Sequence, residues 1–440
     1  MRLIWVSICS LCTLLGAAQA WSGDRAADTL TPEILVTAFH TKQWQVRYDF
    51  DAPVARMVFA RSPDDSRVQT WTPDQGFEIV ATDAGEIARR KDGATFRSVR
   101  FRLSPHYRAL PSDYAPFAPF GDGGTLFHSG RFFACAEDCP AKPLWSMTLW
   151  ASPEDRIILD GAERRGQAHW IDQDEGRGIY VGSTAPTQTP DMIALLDQAL
   201  PAAIRNQLLR QLPAFMRLYS QKLGKAPVRP MLFVSYDVSP YEGEPKRWGS
   251  QGGVLPGQVF IHFYGTRWPE EIGKQGTADQ LSWHFAHEAA HIYQGKFATD
   301  PVDYWIHEGT AEAFAAMALR SLDASAMAFA QSKIEGAKVK CHDQLAGRTI
   351  RDALVAGTSD VAYTCGMLLH LQIDAQIRDT THRDGIYAVW REYTKSASTG
   401  ENAYLAAVSA VGGGQLAEAT RAVIGDSDPD FELTTPGHRE

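Results

Sequence analysis

The sequence lacks an excess of basic residues and, after its first twenty residues, any long apolar run. Its 440 residues contain 43 Lys and Arg against 52 Asp and Glu, a formal net charge of −9. This balance argues against nucleic acid as the main partner, because phosphate binding requires an excess of Lys and Arg. No stretch after residue 20 reaches the roughly 18 apolar residues of a membrane-spanning helix. What remains is an ordinary globular composition, with a length that predicts two or three domains.

The first twenty residues differ from the rest of the chain. Arg2 gives a short positive segment, LIWVSICSLCTLLG is apolar, and AAQA ends in small residues suited to cleavage after Ala20. This order is typical of a secretory signal peptide, and a retained anchor is the less favoured alternative. We therefore expect residues 1–20 to be a cleaved signal peptide, and the mature protein to be periplasmic or secreted with no stable membrane span.

Cysteine is also scarce. Removal of the signal peptide leaves four cysteines, Cys135, Cys139, Cys341 and Cys365. In an oxidising compartment, four cysteines predict two disulfides with three alternative connectivities. The short spacing in CAEDC favours a local bridge between Cys135 and Cys139, in which case Cys341 pairs with Cys365. A metal site is the weaker alternative, because no two of these four form a C-x-x-C pair.

Two regions differ in hydrophobic pattern. Up to about residue 183 the period is two or irregular, and residues 43–50, 95–103, 155–161 and 177–183 are expected to be strands. The Pro-, Gly- and aromatic-rich segment 106–133 is expected to be a long ordered loop. We expect a β-sandwich-like N-terminal domain over residues 21–185.

The pattern becomes helical after residue 190. Residues 190–224 have helical spacing that Pro201 and Pro213 are expected to interrupt. Strands are expected at 230–237 and 257–265, and helices at 277–294, 304–320, 323–338 and 359–378. The fold class is therefore α+β, with a mainly helical second domain over residues 190–440 that contains a small sheet.

The segment WHFAHEAAHIYQG contains the pattern H-E-x-x-H. In a helix, His287 and His291 lie on one face and their imidazoles can share one ion. Glu288 lies beside that ion, where its carboxylate can take a proton from metal-activated water. Zinc is the expected metal, because it accepts imidazole and carboxylate ligands. The pattern alone could also be a helix with surface histidines, so the hypothesis depends on a third ligand.

Two positions for the third ligand can be compared. The metzincin pattern requires glycine at 294 and histidine at 297, where the chain has Gln294 and Phe297. The following segment YWIHEGTAEAFAAMAL instead carries Glu308 and Glu312 on one face of an apolar helix. Glu308 is expected to complete the ligand set and leave a fourth position open for water. Glu312 is expected to accept a hydrogen bond from a ligand histidine, with a solvated surface carboxylate as its alternative.

These motifs resemble those of the gluzincin metallopeptidases, particularly aminopeptidase N and glycyl aminopeptidase relatives. Trp305, Glu308 and Gly309 match the family's W-x-x-E-G helix, and Tyr363 and Gly366 in AYTCGMLLHLQIDAQIR match its Y-x-x-G helix. The resemblance implies a thermolysin-like catalytic domain with one zinc ion. It also implies that Tyr363 stabilises the oxyanion that forms at the scissile carbonyl.

The chain departs from the family pattern at two places. The loop between His291 and Glu308 is shorter than is usual in aminopeptidase N. Those relatives also carry G-x-M-E-N on the strand before the zinc helix, with a glutamate that binds the substrate's amine. Here the corresponding stretch is GGVLPGQVFIHFYG, with Leu255 and Pro256 at those places. Gly252 and Gly253 would still let a peptide backbone approach an edge strand, which favours peptide as the substrate.

The sequence therefore predicts an exported zinc metallopeptidase that acts on peptides or proteins. Two alternatives stay open: an endopeptidase or non-peptide hydrolase that uses the same site, and a zinc-binding scaffold without turnover. Three further histidines, His262, His284 and His307, are expected to be structural or to lie near the cleft without binding the metal.

Overall fold

The computed structural model describes residues 30–40, 43–110, 113–238, 248–297, 300–321, 324–381 and 383–425. The predicted signal peptide, residues 1–20, lies outside the described residues.

The strands of this part of the chain are β1 (Glu33–His40), β2 (Gln43–Val54), β3 (Arg56–Phe59), β4 (Trp71–Pro73), β5 (Phe77–Thr82), β6 (Gly85–Arg90), β7 (Phe96–Leu103), β8 (Phe117–Pro119), β9 (Thr125–His128), β10 (Ala134–Ala136), β11 (Trp145–Ala151), β12 (Arg156–Leu159), β13 (Ala162–Arg165), β14 (Gln167–Asp172), β15 (Gly178–Gly182), β16 (Thr187–Gln188), β17 (Ile193–Leu196), β18 (Met231–Asp237), β19 (Gly249–Leu255) and β20 (Gln258–Tyr264).

The α-helices are α1 (Ser66–Thr70), α2 (Ala202–Leu223), α3 (Trp268–Glu271), α4 (Gln275–Gln294), α5 (Tyr304–Arg320), α6 (Ala324–Leu345), α7 (Ile350–Val355), α8 (Asp360–Thr381), α9 (Ile386–Tyr393), α10 (Glu401–Gly412) and α11 (Gly414–Gly425). Short 3-10 helices occur at Ser129–Phe132 and Pro301–Asp303.

The first half of the chain forms three sheets, with strand orders β14-β11-β1-β2-β7-β4, β10-β3-β6-β5 and β13-β12-β15-β9-β8. Their pairing is antiparallel except for β1 and β11, which are parallel. In β2, buried Trp44, Val46, Tyr48 and Phe50 alternate with more exposed residues. This alternation buries one face of the strand in an aromatic core, as the period of two in its sequence predicts.

The second half places helices against a fourth sheet of order β16-β17-β18-β20-β19. β17, β18 and β20 are parallel, and β19 pairs with β20 in the antiparallel direction. Helices α4 and α5 are buried along most of their length in the large core of this half. Within the described residues, β19 forms an edge of the sheet.

A separate apolar cluster joins the two halves. Phe120, Leu126 and Tyr180 of the first half pack against Ile193 and Phe233 of the fourth sheet.

Hydrogen bonds cross the same boundary. The buried Gln258 amide accepts from the Gly178 N–H at 2.6 Å and donates to the Gly178 carbonyl at 3.0 Å. The Asp197 carboxylate accepts from the Gly121 N–H at 2.9 Å. These buried polar links and the shared apolar cluster fix the fourth sheet against the β-rich half.

The α+β fold class, with a β-rich first half and a helical second half, is confirmed. Three local expectations were wrong. Residues Ile193–Leu196, inside the segment that was expected to be helical, form β17, because these four buried residues pair with β18 in the fourth sheet. The segment 106–133 contains β8 and β9, because its aromatic residues pack into the cores instead of forming a surface loop. Pro213 lies inside α2, where it removes one helical hydrogen bond. Burial of the neighbouring Leu212, Phe215 and Met216 offsets that loss.

Both favoured disulfides are present, Cys135–Cys139 and Cys341–Cys365. The second joins α6 to α8. Within the described residues, no helix has both the length and the apolar character needed to cross a bilayer.

The two disulfides should contribute differently to stability. Replacing Cys341 and Cys365 together by Ser should lower the free energy of unfolding by about 3 kcal/mol, because the bridge closes a long loop. The matched change at Cys135 and Cys139 opens a much shorter loop and should cost about 2 kcal/mol. Urea unfolding of both variants measures the difference, and equal losses would contradict the loop-length argument.

Candidate metal centre

Two buried helices bring three potential ligands together. His287 and His291 lie one turn apart on α4, and Glu308 lies on the first turns of α5. The two Nε2 atoms are 3.0 Å apart, and Glu308 Oε2 lies 3.3 Å from that of His287 and 3.4 Å from that of His291. These three atoms thus converge on one point.

The other nitrogen of His291 is held by a side chain that the sequence analysis did not assign. Gln294, buried on the same helix, donates from Nε2 to the His307 carbonyl at 2.8 Å. Its Oε1 therefore faces His291 Nδ1, 2.6 Å away, and accepts a hydrogen bond from it. With the proton on Nδ1, His291 Nε2 has a free lone pair for a metal. The position of Gln294, three residues after His291, was the available sequence signal.

Glu312 lies against the outer nitrogen of the other imidazole. Its Oε1 lies 3.0 Å from His287 Nδ1, and its Oε2 accepts from the indole N–H of Trp283 at 2.8 Å. Trp283 is fully buried on α4. The expected partner of a ligand histidine therefore lies within hydrogen-bonding distance, and a second residue that the sequence analysis did not assign orients it.

The carboxylates give this cluster a strong preference for positive charge. Burial lowers the pKa of His287, but hydrogen bonds and charges from Glu308 and Glu312 outweigh burial and hold it well above its usual value. Burial raises the pKa of Glu308, but the neighbouring imidazoles hold it well below its usual range. The carboxylates give this partly buried cluster a negative electrostatic potential, which favours a bound cation.

Glu288 lies beneath the edge strand β19. A Cβ atom at Gly252 would lie only 2.7 Å from Glu288 Oε1 and 2.8 Å from His284 Cε1. Any Cβ at 252 would make Glu288 or His284 shift, so glycine at this position lets the strand pass close to the carboxylate. Glu288 itself is buried, and His284 Nδ1 is 3.8 Å from its Oε1.

Tyr363 reaches the cluster from α8. Its ring centre lies 6.1 Å from that of His287, and the two ring planes are inclined by 28°. Burial, followed by the charges of Glu308, Glu288 and Glu312, raises the pKa of Tyr363, so its hydroxyl stays a protonated donor at neutral pH.

The crossing of α5 and α8 sets the position of Tyr363. At Gly309 an added Cβ would lie 2.6 Å from the Gly366 carbonyl carbon, so the two backbones touch without intervening side chains. Glu308 precedes the first of these glycines, and Tyr363 lies three residues before the second.

The other histidines have separate surroundings. His307 Nε2 is 3.4 Å from Glu308 Oε1, whereas the two α4 imidazoles contact the other oxygen of that carboxylate, Oε2. His262 stacks on Tyr107 with ring centres 3.9 Å apart, and its Nδ1 is 2.6 Å from Ser235 Oγ. The three-atom cluster contains neither residue.

The residues present fit a zinc ion. Two imidazole nitrogens and one carboxylate oxygen, all within 4.8 Å of one another, form the ligand set typical of a catalytic zinc site. Both outer imidazole nitrogens face side-chain oxygens, as ligand histidines generally do.

Comparison with known proteins gives structural matches alone. No protein-family model matches the chain, and no curated protein matches its sequence. An aminopeptidase N family protein from Idiomarina loihiensis aligns with 90% of this chain and 76% of its own length, at 9% identity and a TM-score of 0.63. Native yeast LTA4 hydrolase aligns with 94% of this chain and 70% of its own length, at 11% identity and a TM-score of 0.53.

The chain has their fold. The resemblance expected from the HEAAH and YWIHEGTAEAFA motifs is thus confirmed for the architecture. At these identities the likeness does not extend to activity, which has to be argued from the residues of the site.

The glycine contact between α5 and α8 can be tested. Gly309→Ala should push the two backbones apart and lower the free energy of unfolding by about 1–3 kcal/mol, in spite of alanine's higher helix propensity. Gly336→Ala on α6 is the matched control, because an added methyl there meets no atom within 4 Å. It should stabilise the protein by about 0.5–1 kcal/mol. Thermal unfolding measures both changes, and a stabilised Gly309→Ala variant would contradict the close contact.

Proposed function

We propose that this protein is an exported zinc-dependent peptidase. The observation that supports this most directly is the convergence of His287 Nε2, His291 Nε2 and Glu308 Oε2, with Glu288 next to His287 on the same helix. In this proposal the first three residues hold one zinc ion, with the outer imidazole nitrogens oriented by Glu312 and Gln294.

In this proposal Glu288 and Tyr363 each have one role in the reaction. Zinc bound there would supply Lewis acidity, which polarises a carbonyl group and makes water more acidic. Glu288 accepts the proton of the attacking water and passes it to the departing amine. Tyr363 donates its hydroxyl hydrogen bond to the oxygen that becomes negative as water adds to the carbonyl.

The edge strand supports peptide as the substrate. Among the described residues, β19 is an edge strand of the fourth sheet and passes close to Glu288, and an extended peptide can pair with an edge strand. Gly252 and Gly253 carry no side chains that would hold a substrate backbone away from the strand.

Export is part of the same proposal. It is supported by the signal-like residues 1–20 and by two disulfides, which persist in oxidising compartments.

The function is tested by metal content and one conservative substitution. Purified protein should contain about one zinc per chain by mass spectrometry of the metal. Glu288→Gln should keep that zinc and lose peptide hydrolysis by a factor of roughly 10² or more, because the amide cannot take a proton.

Glu335→Gln, a matched loss of a carboxylate on the surface of α6, should leave both measurements unchanged. Hydrolysis that survives in Glu288→Gln would end the proposal, and so would protein that binds no zinc.

Tyr363 has its own test. Tyr363→Phe keeps the ring against His287 and removes only the hydroxyl, so zinc content should not change. The value of kcat should fall by roughly 10²–10³, with little change in KM, if the hydroxyl acts on charge that develops during the reaction. A fall confined to KM would indicate that Tyr363 binds the substrate instead of stabilising the oxyanion.

A further inference from the structure

A cavity of about 710 Å³ lies between β19 and the β-rich half of the chain. One wall is β19, including Gly252, the residue that passes directly over Glu288. The opposite wall comes from the β-rich half, mainly from the segment that contains Tyr107, Asp113 and Tyr114. This volume lies in the range of roughly 300–1,000 Å³ that ligand pockets occupy.

Successive side chains of β19 point to opposite faces of the sheet, and this alternation decides which residues face the cavity. Gly252 approaches Glu288, so the neighbouring Gln251, Gly253 and Leu255 point to the opposite face of the strand, where all three line the cavity. Leu255 is almost fully buried there. The strand therefore contributes an amide, a glycine and an aliphatic side chain to this wall, and no charge.

Aromatic rings form much of the remaining wall, and two of its tyrosines use their hydroxyl groups in hydrogen bonds to β19. Tyr107 stacks on His262 and donates its hydroxyl to Gln251 Oε1. Tyr114 packs edge-on against Phe260, with ring centres 5.5 Å apart, and donates to the Val254 carbonyl at 2.8 Å. Each tyrosine thereby presents mainly its ring to the cavity.

The charged groups of the wall are paired with one another. Arg61 contacts Asp113 at 2.6 Å and Glu175 at 2.7 Å. Burial lowers the pKa of His128 to about 4 and that of His262 to about 3, so both imidazoles are neutral at pH 7. An ammonium group that entered would lose its hydration, and it would have to compete with Arg61 for a carboxylate.

From this lining we infer that the cavity binds an aromatic or long aliphatic side chain of a residue whose backbone nitrogen is acylated. The cleaved bond then lies inside a peptide chain, and the protein is an endopeptidase that needs no free amino terminus. This inference rests on the proposed peptidase function and specifies its substrate class.

The structure itself gives the opposing possibility. Two carboxylates and one guanidinium leave one net negative charge at the Arg61 end, and Glu175 is half-exposed there. Burial and the charges of Glu175 and Glu288 raise the pKa of Tyr114 to about 12, which places its hydroxyl in the field of both carboxylates. Glu175 is therefore the residue to test as an amine anchor.

Two internally quenched peptides that differ only in amino-terminal acetylation provide the test. With zinc-loaded protein, the acetylated peptide should be cleaved with kcat/KM within about threefold of its free-amine partner. An enzyme built to pair with the amine would reject the acetylated peptide by a factor of roughly 10⁴. Two acetylated peptides that differ only in the residue before the cleaved bond test the side-chain preference. The peptide with Phe should have a kcat/KM at least about tenfold above that of the peptide with Gly, as burial of an aromatic ring predicts.

The outcomes separate the two proposals. Cleavage of the free-amine peptide alone would overturn the endopeptidase inference and leave the peptidase function standing. If that activity were then lost in Glu175→Gln, Glu175 would be the amine anchor. Cleavage of neither peptide by zinc-loaded protein would overturn the peptidase function, and the inference with it.

Variants of the cavity wall test the placement of its residues. Leu255→Glu adds a carboxylate to the wall, and Leu255→Gln is the uncharged control. The ratio of free-amine to acetylated peptide cleavage should be at least about tenfold higher in the Glu variant than in the Gln variant. Equal ratios in these two variants would contradict the position of Leu255.

A second variant avoids the buried leucine in case either replacement fails to fold. Tyr107→Ala should reduce the preference for Phe over Gly by at least about tenfold and leave the acetylation ratio unchanged. An unchanged preference in this variant would overturn the aromatic pocket.

Discussion

The contact between α4 and α5 is the constraint on which the candidate site depends. Both helices are buried, and their facing surfaces carry imidazoles and carboxylates in a core that otherwise holds aliphatic and aromatic side chains. Polar groups in such a position need partners, and Gln294, Glu312 and Trp283 provide them. Each imidazole that would bind a metal thus faces a side-chain oxygen through its other nitrogen.

The cavity beside β19 depends on a second contact, the one between the two halves of the chain, because its walls come from both halves. Gln258 and Asp197 lock the fourth sheet against the β-rich half through buried hydrogen bonds. β19 is therefore held at a fixed distance from Tyr114. The groups proposed for chemistry lie on the helices, whereas the surface that would select a substrate is shared between β19 and the first half.

The sequence pattern was sufficient to predict those features of the site that depend on local helix periodicity. Four-residue spacing on a helix brought His287 and His291 together, and the apolar helix around Glu308 indicated the third group. The sequence could not reveal that the segment 106–133 contributes strands and cavity wall, because its contacts are with residues far along the chain. The partner role of Gln294 was missed for a related reason, since it depends on the carbonyl of His307 on another helix.

The Cys341–Cys365 bridge has a consequence for where the protein can work. Cys365 follows Tyr363 by two residues, so the covalent link fastens to α6 the turn of α8 that presents the phenol. Synthesis in a reducing cytosol would leave two thiols there and only non-covalent packing to hold that turn. Under the proposed function, the position of this phenol is in this way coupled to an oxidising environment through one bond.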